Sequence, residues 1–307
     1  MPRGSFVARC LRDAVDQLEP ALGSSARRDA ELLLAHLLAV PRGRLSVIDD
    51  PADEQEIARF TAIEASYRAM VKRRAGREPL QYIVGSVPFA GIELLVGQGV
   101  LIPRPETEVL VEEVARELST LLAASGFRAS AEPRWIVDVG VGSGAILAAL
   151  LAREPVFTGL GVDLSREALA YARRNLAGRW RASLVRGDLT SALSPRVGAG
   201  TFWIVIANLP YIPRGQLAGL EPEVRDYEPR VALDGGSDGL ELVRRMIPDA
   251  ARLLEPSGIL ALELAFDQPG HVAQEFESSG LFGNVRIYRD WAGKTRGVIA
   301  RRTAKGR

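Results

Sequence analysis

The sequence predicts an α/β protein in which a parallel sheet with helices on both faces follows a small N-terminal helical bundle. Helical periodicity fills the first 75 or so residues, and strand-like and helical segments alternate from Pro105 onward. Such alternation builds parallel sheets that are covered by helices on each side. The 307 residues and the hydrophobic content of 47% supply enough apolar material for two packed cores.

The composition argues against several classes of protein. Lys and Arg total 39 against 38 Asp and Glu, a formal net charge of +1, so direct nucleic-acid binding over a broad cationic surface is not expected. Cys10 is the single cysteine, and His36 and His271 stand far apart, which argues against an internal disulfide and against a metal site. The sequence contains no run of about 18 apolar residues and begins without the apolar segment of a secretory signal. We therefore expect a cytoplasmic protein with no membrane association.

The N-terminal bundle is predicted from three segments with helical spacing of apolar residues, VARCLRDAVDQL, RRDAELLLAHLLAV and EQEIARFTAIEASYRAMVKRRA. In the second segment, one face is formed by Leu32, Leu33, His36, Leu37 and Val40. A face of this kind must be buried against a neighbour, so we expect the three helices to pack together. The predicted helical domain covers residues 1–78.

At Gly76 the pattern changes to β-branched and aromatic residues broken by Gly and Pro, which predicts a hairpin linker over residues 79–104. The sheet domain is predicted for residues 105–307, with a flexible linker at 125–133. The last two strands, VRIYRD and GVIARR, are joined only by DWAGKT, which is too short for a helical crossover. We therefore expect these strands to pair antiparallel at one edge of the sheet.

The first motif that carries chemistry is the glycine-rich stretch VDVGVGSGAI, which lies between a predicted strand and a predicted helix. Gly140, Gly142 and Gly144 remove side chains where the backbone turns sharply, so that a nucleotide-like ligand can approach the amide groups and the helix N-terminus. Asp163 ends the next predicted strand, where a carboxylate can accept hydrogen bonds from both hydroxyls of a ribose. The spacing indicates an adenosine cofactor but does not separate NAD from S-adenosylmethionine, and a glycine-rich turn without a ligand stays an alternative.

The second motif is Asn208-Leu209-Pro210-Tyr211, at the carboxyl end of the apolar strand FWIVI. A planar nitrogen such as that of an amide is a poor nucleophile because its lone pair is delocalised, so it must be held with the lone pair facing an electrophile. The side-chain oxygen of Asn208 and the carbonyl of Leu209 can accept the two N–H bonds of an NH₂ group, while the ring of Tyr211 stacks on the flat group. Pro210 restricts Leu209 to an extended conformation. The motif therefore predicts alkylation of a planar nitrogen, against the alternative of an ordinary turn after a strand.

With several further segments, these motifs resemble the HemK/PrmC family, the protein-(glutamine-N5) methyltransferases that modify the glutamine of the Gly-Gly-Gln motif in bacterial peptide-chain release factors. The likeness covers nearly the whole chain. The further segments are PLQYIVG at 79–85, LIPRPETE at 101–108, YEPR at 227–230, ALDGG at 232–236 and DWAG at 290–293. The LIPRPETE and YEPR…ALDGG segments are not shared by adenosylmethionine enzymes in general.

The resemblance implies a class I S-adenosylmethionine-dependent methyltransferase with a Rossmann-like seven-stranded sheet and an N-terminal helical domain that helps to grip the protein substrate. S-Adenosyl-L-methionine is the implied cofactor, and a peptide-chain release factor is the implied partner. The implied cofactor-binding residues are Gly140, Val141, Gly142, Ser143, Gly144, Asp163, Leu164, Asp188, Leu189 and Asn208. The implied substrate-binding residues are Asn208, Leu209, Pro210 and Tyr211, and Asn208, Pro210 and Tyr211 are also the implied catalytic residues. Glu106 and Thr107 are implied to lie near the methionyl end of the cofactor.

Two positions depart from the family's usual pattern. The family has Asn-Pro-Pro-Tyr where this chain has Leu209, and a Glu-Ile-Gly stretch where Glu263 is followed here by Leu-Ala. The first departure leaves the substrate open, because Asn-Leu-Pro-Tyr also occurs in methyltransferases that act on adenine N6 of RNA. The alternatives are a nucleic-acid adenine N6 methyltransferase, a relative that methylates a small-molecule amine or amide, and a non-catalytic adenosylmethionine-binding protein.

Basic residues are concentrated within the helical domain and at its exit. The cations that make it locally basic are Arg42, Arg44, Lys72, Arg73, Arg74 and Arg77. Such a group is either a solvated face or a surface that docks an acidic partner or ribosomal RNA, and both interpretations stay open.

Overall fold

The structure, a computed structural model, describes residues 4–124, 134–178, 181–193 and 198–304. The predicted linker at 125–133 lies outside these ranges. By their contacts the residues form two compact units, unit 1 with Met1–Ser86 and Glu221–Tyr227, and unit 2 with Val87–Leu220 and Glu228–Arg307. The sequence-based boundaries 1–78, 79–104 and 105–307 stay predictions. Over the four described ranges, no helix combines the length and the apolar character that crossing a bilayer requires.

The secondary structure follows the predicted alternation of strands and helices, and it adds helices at Leu80–Val84, Pro222–Arg225 and Pro269–Ser279 that were not predicted. The α-helices are α1 Phe6–Leu22, α2 Ala26–Leu38, α3 Glu54–Ala75, α4 Leu80–Val84, α5 Pro105–Ala124, α6 Ala145–Arg153, α7 Arg166–Leu176, α8 Pro222–Arg225, α9 Glu241–Leu253 and α10 Pro269–Ser279. The strands are β1 Ser86–Phe89, β2 Ile92–Leu95, β3 Arg134–Val139, β4 Phe157–Asp163, β5 Ala182–Arg186, β6 Phe202–Ala207, β7 Leu254–Glu263, β8 Phe282–Arg289 and β9 Thr295–Arg302.

Unit 1 is a helical bundle with its own apolar core between α1, α2 and α3. The largest core side chains are Phe6, Leu11, Leu18, Leu33, Leu34, Phe60 and Tyr67. Within the face predicted for α2, Leu33 is fully buried, but His36 is exposed. The prediction was wrong for His36, because the helix turns Leu34 and Leu38 toward the core instead.

The basic residues at the end of α3 do not form one solvated face. Arg74 is buried, and its guanidinium donates to Asp29 at 2.8 Å and to Glu223 at 3.0 Å. Arg73 pairs with Glu78, and Arg77 lies 2.6 Å from a carboxylate oxygen of Glu223. Arg42 lies 3.9 Å from a carboxylate oxygen of Glu31, so four of the six cations named above are engaged by carboxylates of the same unit. This weakens the interpretation of the group as a docking surface.

Unit 2 contains the seven-stranded sheet, in the order β5-β4-β3-β6-β7-β9-β8. Neighbouring strands from β5 to β7 are parallel, whereas β9 runs antiparallel to both β7 and β8. The predicted α/β fold with an antiparallel last pair is confirmed. The last strand lies inside the sheet and β8 forms the edge, so β9 inserts between β7 and β8.

The two faces of the sheet are covered by different helices. On one face, side chains that alternate along β3 and β6 pack with α9 and α10 around Met246, Val272 and Phe276. On the other face, α6 packs against β4, and α5 packs against β7. Helix α10 was not predicted, although its apolar residues at Val272 and Phe276 have helical spacing and Gly280 ends it with a φ of 66°.

Candidate active site

The predicted site residues meet at the carboxyl edge of the parallel strands. A cavity of about 570 Å³ opens there, beyond the ends of β3, β4, β5 and β6. The predicted residues that line it are Gly140, Gly142, Asp163, Leu164, Asp188, Leu189, Asn208, Leu209 and Pro210. Val141, Ser143 and Gly144 lie in the same turn, where Val141 and Ser143 are buried. Tyr211 lines a second cavity instead.

The glycine-rich turn connects β3 to α6 with a backbone that other residues rarely adopt. Gly140 and Gly142 have φ values of 76° and 55°. A Cβ atom on Gly140 would also lie 3.2 Å from Cδ2 of Leu209, whereas one on Gly142 would meet no side chain within 4 Å. Gly140 is therefore constrained by its neighbour, and Gly142 leaves open space in front of the turn.

Asp163 organises the turn as well as facing the cavity. Its Oδ2 accepts a hydrogen bond from the backbone N–H of Gly142 at 2.8 Å, and its Oδ1 accepts one from Ser165 at 2.8 Å. Burial raises the pKa of the Asp163 carboxyl, and these backbone hydrogen bonds oppose that rise. Each carboxylate oxygen can accept a further bond, so Asp163 can hold the turn and receive ligand hydroxyls together.

Asp138, on β3, is a buried acid that the sequence-based analysis did not single out. Its side chain is fully buried, and neither oxygen has a well-aligned hydrogen-bond partner in the part of the chain that the structure describes. The pKa of Asp138 is raised to about 8, mainly by burial and also by the nearby carboxylate of Asp163, while the backbone N–H of Leu147 opposes the shift. Asp138 is therefore expected to be largely neutral at pH 7.

Because the folded state binds the Asp138 proton more tightly than the unfolded state, Asp138 must reduce stability as the pH rises. A carboxyl in an unfolded chain titrates near pH 4, and the folded pKa is about 8. The stabilising effect of the protonated form is complete below pH 4 and is lost as the pH approaches 8. We expect the Tm of Asp138→Asn, measured relative to the wild-type Tm at the same pH, to rise by ~4 °C or more between pH 5 and pH 8.

Thermal unfolding of the ligand-free protein across this pH range tests the prediction. Asp267→Asn is the matched control, because Asp267 is exposed and the same substitution there should give a Tm difference that is independent of pH. A constant Tm difference for Asp138→Asn would contradict the assignment of a neutral buried carboxyl.

The Asn208-Leu209-Pro210 segment forms the wall of the cavity beside the glycine turn. Nδ2 of Asn208 donates to Oγ1 of Thr107 at 3.2 Å, which ties the amide to the first turn of α5. The Leu209 side chain is buried in the sheet core beside Gly140. The departure from the family's usual proline is thus accommodated by packing of the leucine against the glycine turn.

Tyr211 lies beyond that wall, on a cavity of about 820 Å³ that also contacts Gln268. Its carbonyl accepts a hydrogen bond from Nε2 of Gln268 at 2.9 Å. The pKa of the Tyr211 phenol is raised to about 12, mainly by burial and also by the charge of Glu263, while the charges of Arg296 and Arg104 oppose the rise. Tyr211 is therefore a neutral phenol near pH 7 and unsuited to act as a base there.

The ALDGG segment is bonded to the chain that follows Asn208-Leu209-Pro210-Tyr211 through backbone hydrogen bonds. The backbone N–H of Ile212 donates to the carbonyl of Leu233 at 3.1 Å, and Gly235 returns a bond to Ile212 at 2.9 Å. A Cβ atom on Gly235 would lie 2.7 Å from the carbonyl oxygen of Pro210, so only glycine allows this approach. These backbone contacts restrict the conformation of the segment that carries Asn208 and Pro210.

The LIPRPETE and YEPR segments are joined by Glu228. Its buried carboxylate accepts from the backbone N–H of Ile102 at 3.2 Å and from the guanidinium of Arg104. Desolvation raises the pKa of Glu228, and Arg104 opposes this rise. The residues next to these contacts, Val100, Leu101, Pro229 and Arg230, line the first cavity.

Further contacts hold Asp188 and the glycine turn, and Leu189 adopts a strained backbone conformation. Asp188 pairs with Arg245 at 2.6 Å, and Leu189 has a φ of 50°, a strained value for a residue with a branched side chain. The buried amide of Asn175 donates to the carbonyl of Ser143 at 2.8 Å and also bonds the backbone of Leu95, so it ties the glycine turn to β2. No local sequence signal marks Asn175, because its partners lie far away in the chain.

Comparisons with known proteins agree with this geometry. A methyltransferase domain model matches residues 136–226, and a PrmC N-terminal domain model matches residues 9–85. Among solved structures, the hMettl16 catalytic domain in complex with MAT2A 3'UTR hairpin 6 has a TM-score of 0.51 and 16% identity, covering 68% of this chain and 75% of that one, which supports the fold alone. Fold and site together define a class I methyltransferase.

The curated relatives identify the family more closely. A release factor glutamine methyltransferase of Caulobacter vibrioides is 40% identical over 93% of both chains. One from Mycobacterium leprae is 39% identical over 96% of both chains, and one from Geobacter sulfurreducens is 40% identical over 83% of both. The chain belongs to the family of release factor glutamine methyltransferases.

Proposed function

We propose that this chain transfers a methyl group from S-adenosylmethionine to the N5 side-chain amide of the glutamine in the Gly-Gly-Gln motif of bacterial peptide-chain release factors. The observation that carries the proposal is the common cavity, in which Asn208, Leu209 and Pro210 face Gly140, Gly142 and Asp163. One wall offers hydrogen-bond acceptors for an NH₂ group, and the other offers space and a carboxylate for a nucleoside. Family membership adds the class of substrate.

The residues of the cavity fit S-adenosylmethionine, which supplies an electrophilic methyl group on a sulfonium sulfur. Asp163 would accept hydrogen bonds from the ribose hydroxyls while it keeps its backbone bond to Gly142. Asp188 and Leu189, beyond the end of β5, would lie beside the adenine. The glycine turn, with open space in front of Gly142, would receive the methionyl part.

The Asn208 loop would position the acceptor nitrogen. Oδ1 of Asn208 and the carbonyl of Leu209 accept the two amide protons, which fixes the plane of the glutamine amide and turns its lone pair toward the methyl carbon. On transfer, the C–N bond would form as the C–S bond breaks, with S-adenosylhomocysteine as the leaving group. The methylated nitrogen, then much more acidic, would lose its proton to water or to the Leu209 carbonyl. The catalytic contribution is positioning, with Pro210 fixing the loop and Tyr211 closing its outer side.

The direct test is incubation of the purified protein with a release factor and labelled S-adenosylmethionine, followed by mass spectrometry of the Gly-Gly-Gln peptide. We expect one added methyl group on the glutamine. A release factor with glutamate at that position is the matched control, because a carboxylate has no NH₂ group to satisfy both acceptors.

The same assay distinguishes the other acceptors that the sequence left open. Label in RNA would favour adenine N6, and label in a low-molecular-weight fraction would favour a small amine or amide. No transfer to any acceptor, with S-adenosylmethionine bound, would favour a binding protein without catalysis. A release factor substrate places the enzyme in the cytoplasm, where translation terminates, and that location forms part of the proposal.

The cofactor half of the proposal predicts a separate result. Asp163→Ala removes the acceptor for the ribose hydroxyls and the brace on Gly142, so binding of S-adenosylmethionine should weaken by roughly 1.5 to 3 kcal/mol. Isothermal titration calorimetry measures this loss, with the exposed Asp267→Ala as a control of unchanged affinity. Equal affinities in Asp163→Ala and wild type would contradict the proposed role.

A further inference from the structure

Behind Asn208 lies a buried polar cluster that the proposed reaction does not use directly. Asn208 follows β6, and Glu263 ends the adjacent parallel strand β7, where Ala207 is in register with Leu262. The two side chains therefore leave neighbouring positions on the sheet. Thr107, in the first turn of α5, is also buried and contacts Asn208 through the 3.2 Å hydrogen bond.

The direction of this hydrogen bond decides what Asn208 presents to the cavity. A carboxamide has a donor end and an acceptor end, and its surroundings decide which end faces which way. With Nδ2 turned toward Oγ1 of Thr107, Oδ1 is left for the cavity that Asn208 lines. The opposite orientation would present an NH₂ group to the substrate NH₂ and would repel it.

Glu263 can impose the required direction. Its side chain is buried, and hydrogen bonds from Thr107 and Asn208 act on its carboxyl group. An ionised carboxylate only accepts hydrogen bonds, so the single Thr107 hydroxyl proton is donated to Glu263. Oγ1 of Thr107 is then left to accept from Asn208, and the amide orientation follows.

We propose that Thr107 and Glu263 are positioning residues that hold Asn208 with Oδ1 toward the substrate NH₂ group. The inference deepens the proposed function and rests on it, since it assumes that Asn208 accepts a proton from that group. Because Oε2 of Glu263 is buried without a well-aligned partner in the described part of the chain, the carboxyl is poised to change its protonation state.

The groups around Glu263 predict where this change occurs. The pKa of Glu263 is raised to about 7, mainly by burial and also by the charge of Glu106, while hydrogen bonds from Thr107 and Asn208 and the charge of Arg296 oppose the rise. Arg296, on β9, is also paired with Asp290 and Glu106. The phenols that face the carboxyl, Tyr211 and Tyr288, have raised pKa values and stay neutral near pH 7.

A protonated Glu263 can donate to Thr107, which frees the threonine hydroxyl to donate to Asn208 and removes the fixed amide orientation. We therefore expect kcat to rise with pH through the region near 7 for the wild type. Glu263→Gln keeps an oxygen that accepts from Thr107 at every pH, so its kcat should lose this rise. A Glu263→Gln profile with the same rise as the wild type would overturn the role of Glu263.

Thr107 offers a matched pair of substitutions. Thr107→Val keeps the shape and removes the hydroxyl, so kcat should fall at least ~10-fold with little change in the KM for S-adenosylmethionine. Thr107→Ser keeps the hydroxyl and should stay within ~3-fold of the wild type. In an Asn208→Ala background, Thr107→Val should cause no further loss, because its effect passes through Asn208. Equal losses for Val and Ser, or additive losses with Asn208→Ala, would overturn the proposal.

A second readout needs no substrate and so separates this inference from the proposed function. The chain has only three asparagines, Asn175, Asn208 and Asn284, so ¹⁵N-asparagine labelling gives a simple side-chain NH₂ spectrum of the full-length protein. The Asn208 protons should exchange with solvent at least ~10-fold more slowly than those of the exposed Asn284. Thr107→Val should lower this protection, because only the hydrogen bond to Glu263 remains, and Thr107→Ser should keep it. Unchanged protection in Thr107→Val would refute the orientation whether or not a release factor is methylated.

Discussion

Replacement of Asn208 by alanine is expected to lower kcat at least ~100-fold, the size that is typical for loss of one preorganised hydrogen-bonding group in an active site. The amide provides one of two acceptors that fix the plane of the substrate NH₂ group. Without it, the nitrogen lone pair is no longer held toward the electrophile, and water competes for the freed amide proton. Steady-state methylation of a release factor, with single-turnover rates to exclude slow product release, measures the loss.

The affinity of Asn208→Ala for S-adenosylmethionine should stay near that of the wild type, because Asp163, the proposed ribose partner, is on a different strand, β4. Gln216→Ala is a suitable control, since it removes an exposed amide from the loop that follows without touching the first cavity. Normal turnover in Asn208→Ala would refute the positioning mechanism. A large loss of cofactor affinity instead would mean that Asn208 acts mainly on the cofactor.

The fold could be predicted from the sequence because its main signals are local. Alternating strands and helices define the parallel sheet, and the short DWAGKT connection defines the antiparallel pair. The insertion of β9 between β7 and β8 could not be predicted in this way, because strand order depends on pairing between distant segments. His36 was misplaced for a related reason, since periodicity alone defines a face only to within about one position.

The candidate site shows the same difference between local sequence signals and contacts with distant residues. Gly140, Gly142, Asp163 and Asn208 stand in short motifs at strand ends, so the sequence predicted their meeting at one cavity. The contacts of the side chains that support them carry no such signal, although Thr107 itself stands in the LIPRPETE segment. Asn175, Thr107 and Glu263 act through partners far away in the chain, which only the folded structure identifies. Tyr211 stands in a motif but lines a neighbouring cavity, because the chain continues past the wall that Asn208 and Pro210 form.

Unit 1 contains a buried ion-pair cluster whose members lie far apart in the sequence. Arg74 is the centre of a buried cluster, with Nε donating to Asp29 at 2.8 Å, Nη1 to the Glu78 carbonyl at 3.0 Å and Nη2 to Glu223 at 3.0 Å. Its side chain is only 9% exposed, and that of Asp29 only 11%. Glu223 keeps a second cation, Arg77 at 2.6 Å, if Arg74 is removed. Asp29 is the more vulnerable partner, because loss of Arg74 leaves its carboxylate buried and unneutralised.

Arg74→Ala is therefore expected to destabilise unit 1 by ~3–5 kcal/mol, the cost of leaving one half of a buried ion pair. Hydrogen exchange of peptides from α1, α2 and α3 in the full-length protein, measured in rising urea, reports this loss. Arg68→Ala on the same helix removes an exposed pair with Glu64 and should cost at most ~0.5 kcal/mol. The double variant Arg74→Met with Asp29→Leu should recover most of the loss, since it replaces both charges with apolar groups. Equal stabilities for Arg74→Ala and Arg68→Ala would mean that the cluster contributes little, and that the bundle depends on its apolar core alone.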